Sequence, residues 1–351
     1  MSLASELIRF ENTKSDRINR CAEYCVDWLR NNGVETTVYE HRGLKSIVAS
    51  VGTGTPVIVL NGHLDVVPGL PEDFEPHTED GKLFGRGSYD MLGAVASMMV
   101  LMAELAKTAP ACNVVLTLVP DEESGGEAGT GHLVKRGFVG DIAICGEPTN
   151  LNIAIQAKGI LQLIVKVPGV AAHGSRPWLG RNAIFQALES YRTIASLNVF
   201  EESTPFFDRP SLNLAKISAG KVFNQVPDSC VMGIDIRYLP GQNPDELLNR
   251  IRTSLPDAEI YVHLQGSPVD TPPDNVWVRK LRRYAKTDFF GQDGSADTRF
   301  YAEQGVPAVE FGPSGANHHG PDEYVEIRSL FEYKEILKKF ISNIKDDEDE
   351  I

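Results

Sequence analysis

No stretch of this sequence approaches the roughly 18 to 20 unbroken apolar residues that a membrane-crossing helix needs, so a helical membrane protein is not expected. The opening segment, Met1-Ser2-Leu3-Ala4-Ser5-Glu6-Leu7, has no basic stretch ahead of an apolar one, so no secretory signal is expected and the location reads as cytoplasmic. Cysteine is scarce and scattered: there are 5 in 351 residues, at positions 21, 25, 112, 145 and 230. None forms a C-x-x-C pair, which argues against a zinc knuckle or a disulfide framework. Cys21 and Cys25 stand one helical turn apart on an apolar face and read as small core hydrophobes in a reducing compartment. Positive charge is also short, with 34 Lys+Arg against 48 Asp+Glu and a formal net charge of -14. Nucleic acid and anionic membranes both require basic patches, so neither is an expected partner. Part of the negative charge sits in the tail Lys345-Asp346-Asp347-Glu348-Asp349-Glu350, which reads as a solvated, frayed end. The rest includes carboxylates that a metal ion can use.

What is present is an ordinary globular balance, 42% hydrophobic and 23% charged. The length exceeds one ordinary core and predicts two domains. Ile18, Cys21, Ala22, Cys25 and Leu29 follow helical spacing up to Asn32-Gly33. Val57-Ile58-Val59-Leu60 is a short β-branched run of the kind buried in α/β sheets. An Ala/Met/Leu-rich helix is predicted over 93–107, and buried strands over 114–119 and 142–145. This alternation predicts an α/β catalytic domain with a mixed, largely parallel sheet flanked by helices.

After Lys158-Gly159 the pattern changes. Alternation over 161–167, a helix near 182–197, strands near 211–218 and 230–238, a helix from Pro244 and a strand near 259–264 give the order β-α-β-β-α-β. That is the ferredoxin-like α+β pattern of a small domain. A Pro-rich boundary at 267–274 follows, then a helix at 276–286 and a buried strand at 306–311. The expected division is therefore 1–158 with 268–351 as one domain, and 159–267 inserted into it.

Five polar clusters fall beside predicted strand ends or a helix start, where ligands collect in open α/β sheets. The first is Asn61-Gly62-His63-Leu64-Asp65, where His63 and Asp65 point the same way in extended chain. A carboxylate behind an imidazole can orient it for a metal, although such a pair alone is a common surface feature. In Gly85-Arg86-Gly87-Ser88-Tyr89-Asp90-Met91-Leu92-Gly93 the glycines match no nucleotide loop, and Asp90 alone reads first as an N-cap. The third cluster is Asp121-Glu122-Glu123-Ser124-Gly125-Gly126. Three adjacent carboxylates repel one another unless a cation or protons relieve them. Asp121 fits equally well as a turn cap or as a residue that tunes a site. Cys145-Gly146-Glu147-Pro148 places one Glu after a buried strand, and Ala316-Asn317-His318-His319-Gly320 with Asp322-Glu323 closes the set. Histidines and carboxylates in these numbers suit two zinc-class ions sharing a carboxylate. His41, His77, His132 and His263 have no carboxylate at ligand spacing and read as surface or internally satisfied positions.

Taken together the five clusters resemble the co-catalytic zinc metallopeptidase family, which includes acetylornithine deacetylase, succinyl-diaminopimelate desuccinylase, aminoacylase and glutamate carboxypeptidase. The resemblance runs over nearly the whole chain. It implies a metal-dependent amidohydrolase acting on linear amides, with two divalent ions, zinc first and cobalt or manganese as alternatives. Asp90 is implied to bridge the ions, His63 and Glu147 to complete one site, and Glu123 and His319 the other. His319 is chosen over His318 because the family's ligand stands four residues before the Glu of an Asp-Glu-Tyr, here Asp322-Glu323-Tyr324. Asp65 is implied to orient His63 and Glu122 to act as general base, and a cis peptide is implied at Asp90–Met91. The inserted domain resembles the family's lid and dimerisation domain, which implies a homodimer. His173, in Ala172-His173-Gly174-Ser175-Arg176-Pro177, is implied to stabilise the oxyanion. Asn224, Arg237, Gly294 and Ser295 are implied to bind substrate, with Arg237 suited to a carboxylate. The expected substrate is a small N-acyl-amino acid, or a short peptide if the chain is a carboxypeptidase or dipeptidase on the same scaffold. A non-catalytic relative would normally lose the base or a ligand, and none is lost here. One departure stands out: bacterial desuccinylases continue the lid motif as His-x-Ala-Tyr-Pro-His, whereas this chain reads His173-Gly174-Ser175-Arg176-Pro177-Trp178. The resemblance therefore does not single out succinyl-diaminopimelate, and Arg176 either favours an acidic substrate group or faces solvent.

Overall fold

A computed structural model describes residues 2–345, so the acidic tail beyond Lys345 lies outside the described residues. The chain divides into two compact units, one of Met1–Ile155, Thr271–Phe290 and Ala296–Ile351, the other of Gln156–Asp270 and Gly291–Ser295.

The first unit is built on a mixed sheet. Its strands include β1 (Glu35–His41), β2 (Leu44–Val51), β3 (Val57–His63), β6 (Asn113–Val119), β7 (Ile142–Cys145) and β8 (Ile153–Ala157), while the short strands β4 (His77–Glu79) and β5 (Lys82–Phe84) belong to a separate small sheet. The later strand Ala308–Glu310 pairs parallel to β7 and antiparallel to β8. The sheet runs β1-β2-β6-β3-β7, then Ala308–Glu310, then β8. The strands β6, β3 and β7 are parallel, with His63 beside Val119 and Asn61 beside Cys145. This register brings the carboxyl ends of the three strands to one edge, which is where the α/β topology collects polar loops. Buried on both faces, β3 is a continuous apolar run rather than an alternating one.

Helix α1 (Ser2–Ile8), α2 (Ser15–Asn31) and α3 (Gly93–Thr108) follow in chain order. The stretch Ser88–Thr108 has the length and composition of a membrane span, with mean hydropathy 1.4, but 72% of that window is buried inside the fold. It is apolar nearly all round because it is covered nearly all round. Ser97 Oγ donates to the Leu330 carbonyl at 3.3 Å, which ties α3 to the last helix, Ile327–Ser342. That helix buries Leu330, Tyr333, Leu337, Phe340 and Ile341, a helical stripe.

The second unit carries β9 (Gly159–Pro168), β10 (Ser211–Ala219), β11 (Ser229–Tyr238) and β12 (Glu259–Gly266) in an antiparallel sheet ordered β10-β11-β9-β12. With the helices Ala183–Ala195 and Pro244–Ser254 this is the ferredoxin-like order. Leu161, Leu163, Val165 and Val167 alternate with Cys230, Met232, Ile234 and Ile236 on the covered face, and Ala187, Ile194, Leu247 and Ile251 of the helices close the core. The strip Gly291–Ser295, read from the sequence as part of the larger domain, joins this unit instead. The Lys158 backbone N–H donates to the Gln292 carbonyl at 3.2 Å, and Lys158 Nζ pairs with Asp293 at 2.7 Å.

Candidate metal centre

The parallel strand ends of the first unit place the polar clusters side by side. His63 is the last residue of β3, Asp121-Glu122-Glu123 follow β6, and Glu147 follows β7. Asp90 enters from the kinked segment ahead of α3, where the Asp90–Met91 peptide is cis, as the resemblance implies. His319 comes from the loop between two short strands near the chain end.

Asp90 stands at the middle of the cluster. Its Oδ1 lies 3.1 Å from His63 Nε2, and its Oδ2 lies 3.1 Å from His319 Nε2. His319 Nε2 is also 3.0 Å from Glu123 Oε1. Nitrogen and oxygen donors close enough to share an ion therefore fall into three overlapping groups. These are His63 with Asp90 and Glu147, Asp90 with Glu123 and His319, and His63 with Glu122 and Glu123. The first two share Asp90. His318 belongs to none of them and packs edge-on against the Tyr89 ring. His41 and His132 stack on each other, and His77 stacks on Phe84.

The histidine ring is fixed from behind, though not as the sequence suggested. His63 Nδ1 donates to the backbone carbonyl of Asp65 at 2.8 Å, while the Asp65 carboxylate stands 3.6 Å from that nitrogen. The carboxylate instead accepts the backbone N–H groups of Glu122 at 3.1 Å and Glu123 at 3.0 Å. Asp65 thus orients His63 with its main chain and the Glu122–Glu123 turn with its side chain. With Nδ1 committed as a donor, Nε2 is the nitrogen that faces the cluster and could meet a metal ion. Asp121 holds the same turn by accepting the Ala128 N–H at 2.7 Å, the capping alternative of the two read from the sequence.

Three residues not assigned a role from the sequence support the loop. Asp297 is buried and accepts Thr130 Oγ1 at 2.6 Å. Thr130 in turn accepts Asn61 Nδ2 at 3.0 Å, and Arg299 donates to the Gly125 carbonyl at 2.6 Å.

The electrostatics follow from crowding carboxylates in a buried place. Burial pushes Asp65 up to about 6 and Asp297 up to about 7. Burial likewise raises Glu122 and Glu147, with Asp297, Asp90 and Glu123 adding to the first and Glu122, Asp90 and Glu310 to the second. Burial would also raise Asp90, but hydrogen bonds from His319 and His63 outweigh it and hold this carboxyl well below its usual range. Hydrogen bonds to Asp90 and Glu123 raise His319 to about 10. The proton in each imidazole–Asp90 hydrogen bond ties the cluster together. A divalent cation would replace those protons on the same lone pairs. The donor set fits such an ion: imidazole nitrogens and carboxylate oxygens suit zinc-class metals, and Glu147 Oε1 is buried with no hydrogen-bond partner.

The remaining predicted residues belong to the second unit. His173 is exposed and bridges Gln225 across an extended pair, next to Asn224, whose carbonyl accepts the Gly174 N–H at 2.7 Å. The Ser175 backbone N–H donates to His173 Nδ1 at 3.1 Å, so Nδ1 is an acceptor and the ring proton sits on Nε2. Arg237 stands on β11 and donates through Nε to Asp235 at 2.9 Å. Gly294 and Ser295 lie on the 291–295 strip, and Ser295 Oγ is buried with no hydrogen-bond partner.

Comparison with known proteins bears on the family and the fold. The description "Peptidase family M20/M25/M40" matches residues 59–343. A succinyl-diaminopimelate desuccinylase of Aromatoleum aromaticum is 30% identical over 363 residues, covering 94% of this chain and 92% of the relative. Among solved structures, aminopeptidase PepT of Bacillus cereus superposes with a TM-score of 0.82 at 17% identity, covering 97% of this chain and 96% of that one. The YXEP protein of Bacillus subtilis, described as a dinuclear metal binding peptidase, superposes with a TM-score of 0.73 at 15% identity and 98% coverage of both chains. At these identities the two structures speak for the fold.

Proposed function

The chain belongs to peptidase family M20/M25/M40 and is a metal-dependent hydrolase, and within that family we propose that it cleaves the amide bond of an N-acyl-amino acid at two divalent ions. The observation that carries this reading is the two-sided use of Asp90, one oxygen 3.1 Å from His63 and the other 3.1 Å from His319. One ion would be held by His63, Asp90 and Glu147, the other by Asp90, Glu123 and His319, with zinc the best match to these donors. When bound, such ions supply Lewis acidity toward a carbonyl and make a water molecule more acidic.

The chain's own residues do the rest. Glu122 takes a proton from the attacking water and hands it to the leaving nitrogen. Its backbone is fixed by Asp65, and burial above all raises the proton affinity of its carboxyl, which suits a general base. His173, with its proton on Nε2, donates to the oxyanion of the tetrahedral species. Asn224, Arg237, Gly294 and Ser295 bind the substrate, with Arg237 pairing its carboxylate.

A homodimer is part of the proposal. Its support is an apolar surface on the second unit, with Trp178 at 74%, Leu179 at 63% and Phe185 at 65% exposure.

The test is a side-by-side assay of N-acetyl-ornithine, N-succinyl-diaminopimelate and several dipeptides, with Glu122→Gln as the control. The N-acyl-amino acids should be hydrolysed. Glu122→Gln should bind metal normally and lose on the order of 10²–10⁴-fold in turnover. Cleavage of dipeptides alone would move the chain to the peptidase branch, and substantial activity in Glu122→Gln would sink the mechanism.

A further inference from the structure

Asp90 and His319 come from segments far apart in the chain, yet their side chains meet at 3.1 Å. The first segment leaves backbone donors to be satisfied, and the second carries backbone that a free loop would not hold. The turn before α3 departs from helical geometry at Asp90 and Met91, so its N–H groups lack helical partners. His319 and Asp322 both adopt the left-handed conformation, at φ 61° and 55°, which side-chain-bearing residues rarely keep unless their surroundings impose it.

One buried side chain joins the two segments. Glu323, with only 2% of its side chain exposed, accepts the N–H of Tyr89 at 3.0 Å and that of Asp90 at 3.1 Å on Oε1. Its Oε2 accepts Arg86 Nη1 at 2.8 Å. Its own carbonyl accepts the Gly85 N–H at 3.0 Å and Ser88 Oγ at 3.3 Å. The loop that carries His319 is thereby fastened to both ends of the 85–90 turn that carries Asp90.

We propose that Glu323 is the positioning residue that sets Asp90 and His319 in register to share a divalent ion. This rests on the assignment of Asp90, Glu123 and His319 as ligands. Glu323 offers nothing to the ion itself, since both of its oxygens are spent on the turn. Its effect is largest on the site that includes His319, which takes two ligands from the joined segments, and smaller on the other, which shares only Asp90 with it. His63 and Glu147 stand at the ends of paired parallel strands, which hold them independently.

The test is titration of metal-stripped protein with cobalt(II), followed by calorimetry and by the visible ligand-field spectrum. Wild type should bind two equivalents. Glu323→Ala should weaken one of them on the order of 10- to 100-fold, as loss of a supporting partner does, and change the spectrum of that equivalent most, with a smaller effect on the other through the shared Asp90. Glu323→Gln should recover most of the loss, because its amide oxygen still accepts from Tyr89 and Asp90. Failure of wild type to bind cobalt overturns the ligand assignment and the proposal with it. Two equivalents in wild type with unchanged affinities and spectra in Glu323→Ala overturn the proposal alone. If Glu323→Ala does not fold, Glu323→Asp takes its place, since it keeps the charge beside Arg86 and shortens the reach to the two N–H groups. Weakening of one site by roughly 10-fold then supports the proposal, and unchanged affinities overturn it.

Discussion

Gly312, buried just beyond the Ala308–Glu310 strand, offers a sharp test of how the strand ends hold Glu147. A methyl group at this position would lie 2.6 Å from the Gly146 carbonyl oxygen and 2.9 Å from its carbon, and closer still to the Glu147 carbonyl. All three are backbone atoms at the end of β7, so none can swing aside. Relief requires the two segments to separate by nearly an ångström. Overpacking in a close-packed interior typically costs 1–3 kcal/mol, and a backbone clash belongs at about 3. Gly62→Ala is the internal control. Its methyl would meet Met98 Cε at 2.8 Å, Val95 Cγ2 at 2.9 Å and Met91 Cε at 3.2 Å. Two of these are ends of flexible thioether chains, so about 1 kcal/mol is expected. Urea unfolding followed by circular dichroism reads the difference. At a slope of about 3 kcal/mol/M, Gly312→Ala should lower the midpoint by roughly 1 M and Gly62→Ala by about a third of that. Metal affinity should fall with it, since Glu147 is the residue displaced. A midpoint for Gly312→Ala equal to or above that of Gly62→Ala would refute the claim that backbone contact between these loops sets the position of Glu147.

Two further outcomes follow from the charges. Burial opposes ionisation of Glu104, but hydrogen bonds from Lys334 and Lys338 hold its carboxyl below the ordinary value. A depressed folded-state pKa gives stability that is present above the unfolded value of about 4.5 and lost as pH falls through the folded one. Glu104→Gln should therefore cost about 1 kcal/mol at pH 7, allowing for screening at the partly exposed Lys338, and should match wild type near pH 3. A deficit of the same size at both pH values would show that charge is not its cause. The crowded carboxylates of the candidate centre also predict that a bound ion stabilises the fold. A free zinc concentration about 100 times the dissociation constant should add roughly 2.7 kcal/mol, removed again by a chelator. An unfolding midpoint indifferent to zinc and chelator would count against a metal centre here.

Much of the fold could be read from residue pattern because the pattern is the direct consequence of burial. The Ala/Met/Leu run predicted over 93–107 is α3, Gly93–Thr108. The alternation at 161–167 is β9, whose inward residues meet those of β11. Some strands without a sequence signal have weak burial contrast. The strand β1 has no buried residue, and β4 and β5 are three residues each. The 291–295 strip was misplaced because its membership is decided by contacts with Lys158, more than 130 positions earlier, and no local spacing encodes them.

The site divides along the same physical line. His63, Glu123 and Glu147 were legible because each follows a buried strand, and the parallel register converts three separate strand ends into one place. His319 was separable from His318 only through resemblance, and the geometry now distinguishes them: one meets Asp90 and Glu123, the other packs on Tyr89. The supporting residues carried no such signal. Asp65 looked like a partner for the His63 ring, and its carboxylate instead holds the backbone of Glu122 and Glu123. Glu323 served only as a landmark for counting, and it proves to hold the backbone of Tyr89 and Asp90. In both cases a carboxylate accepts N–H groups that regular secondary structure leaves without partners. Which N–H groups those are depends on where a helix kinks or a strand stops, and that is settled by tertiary packing. A carboxylate beside a metal cluster can therefore be a ligand, a base or a brace for the backbone, and in this chain Glu123, Glu122 and Asp65 are proposed to divide those three roles around one turn.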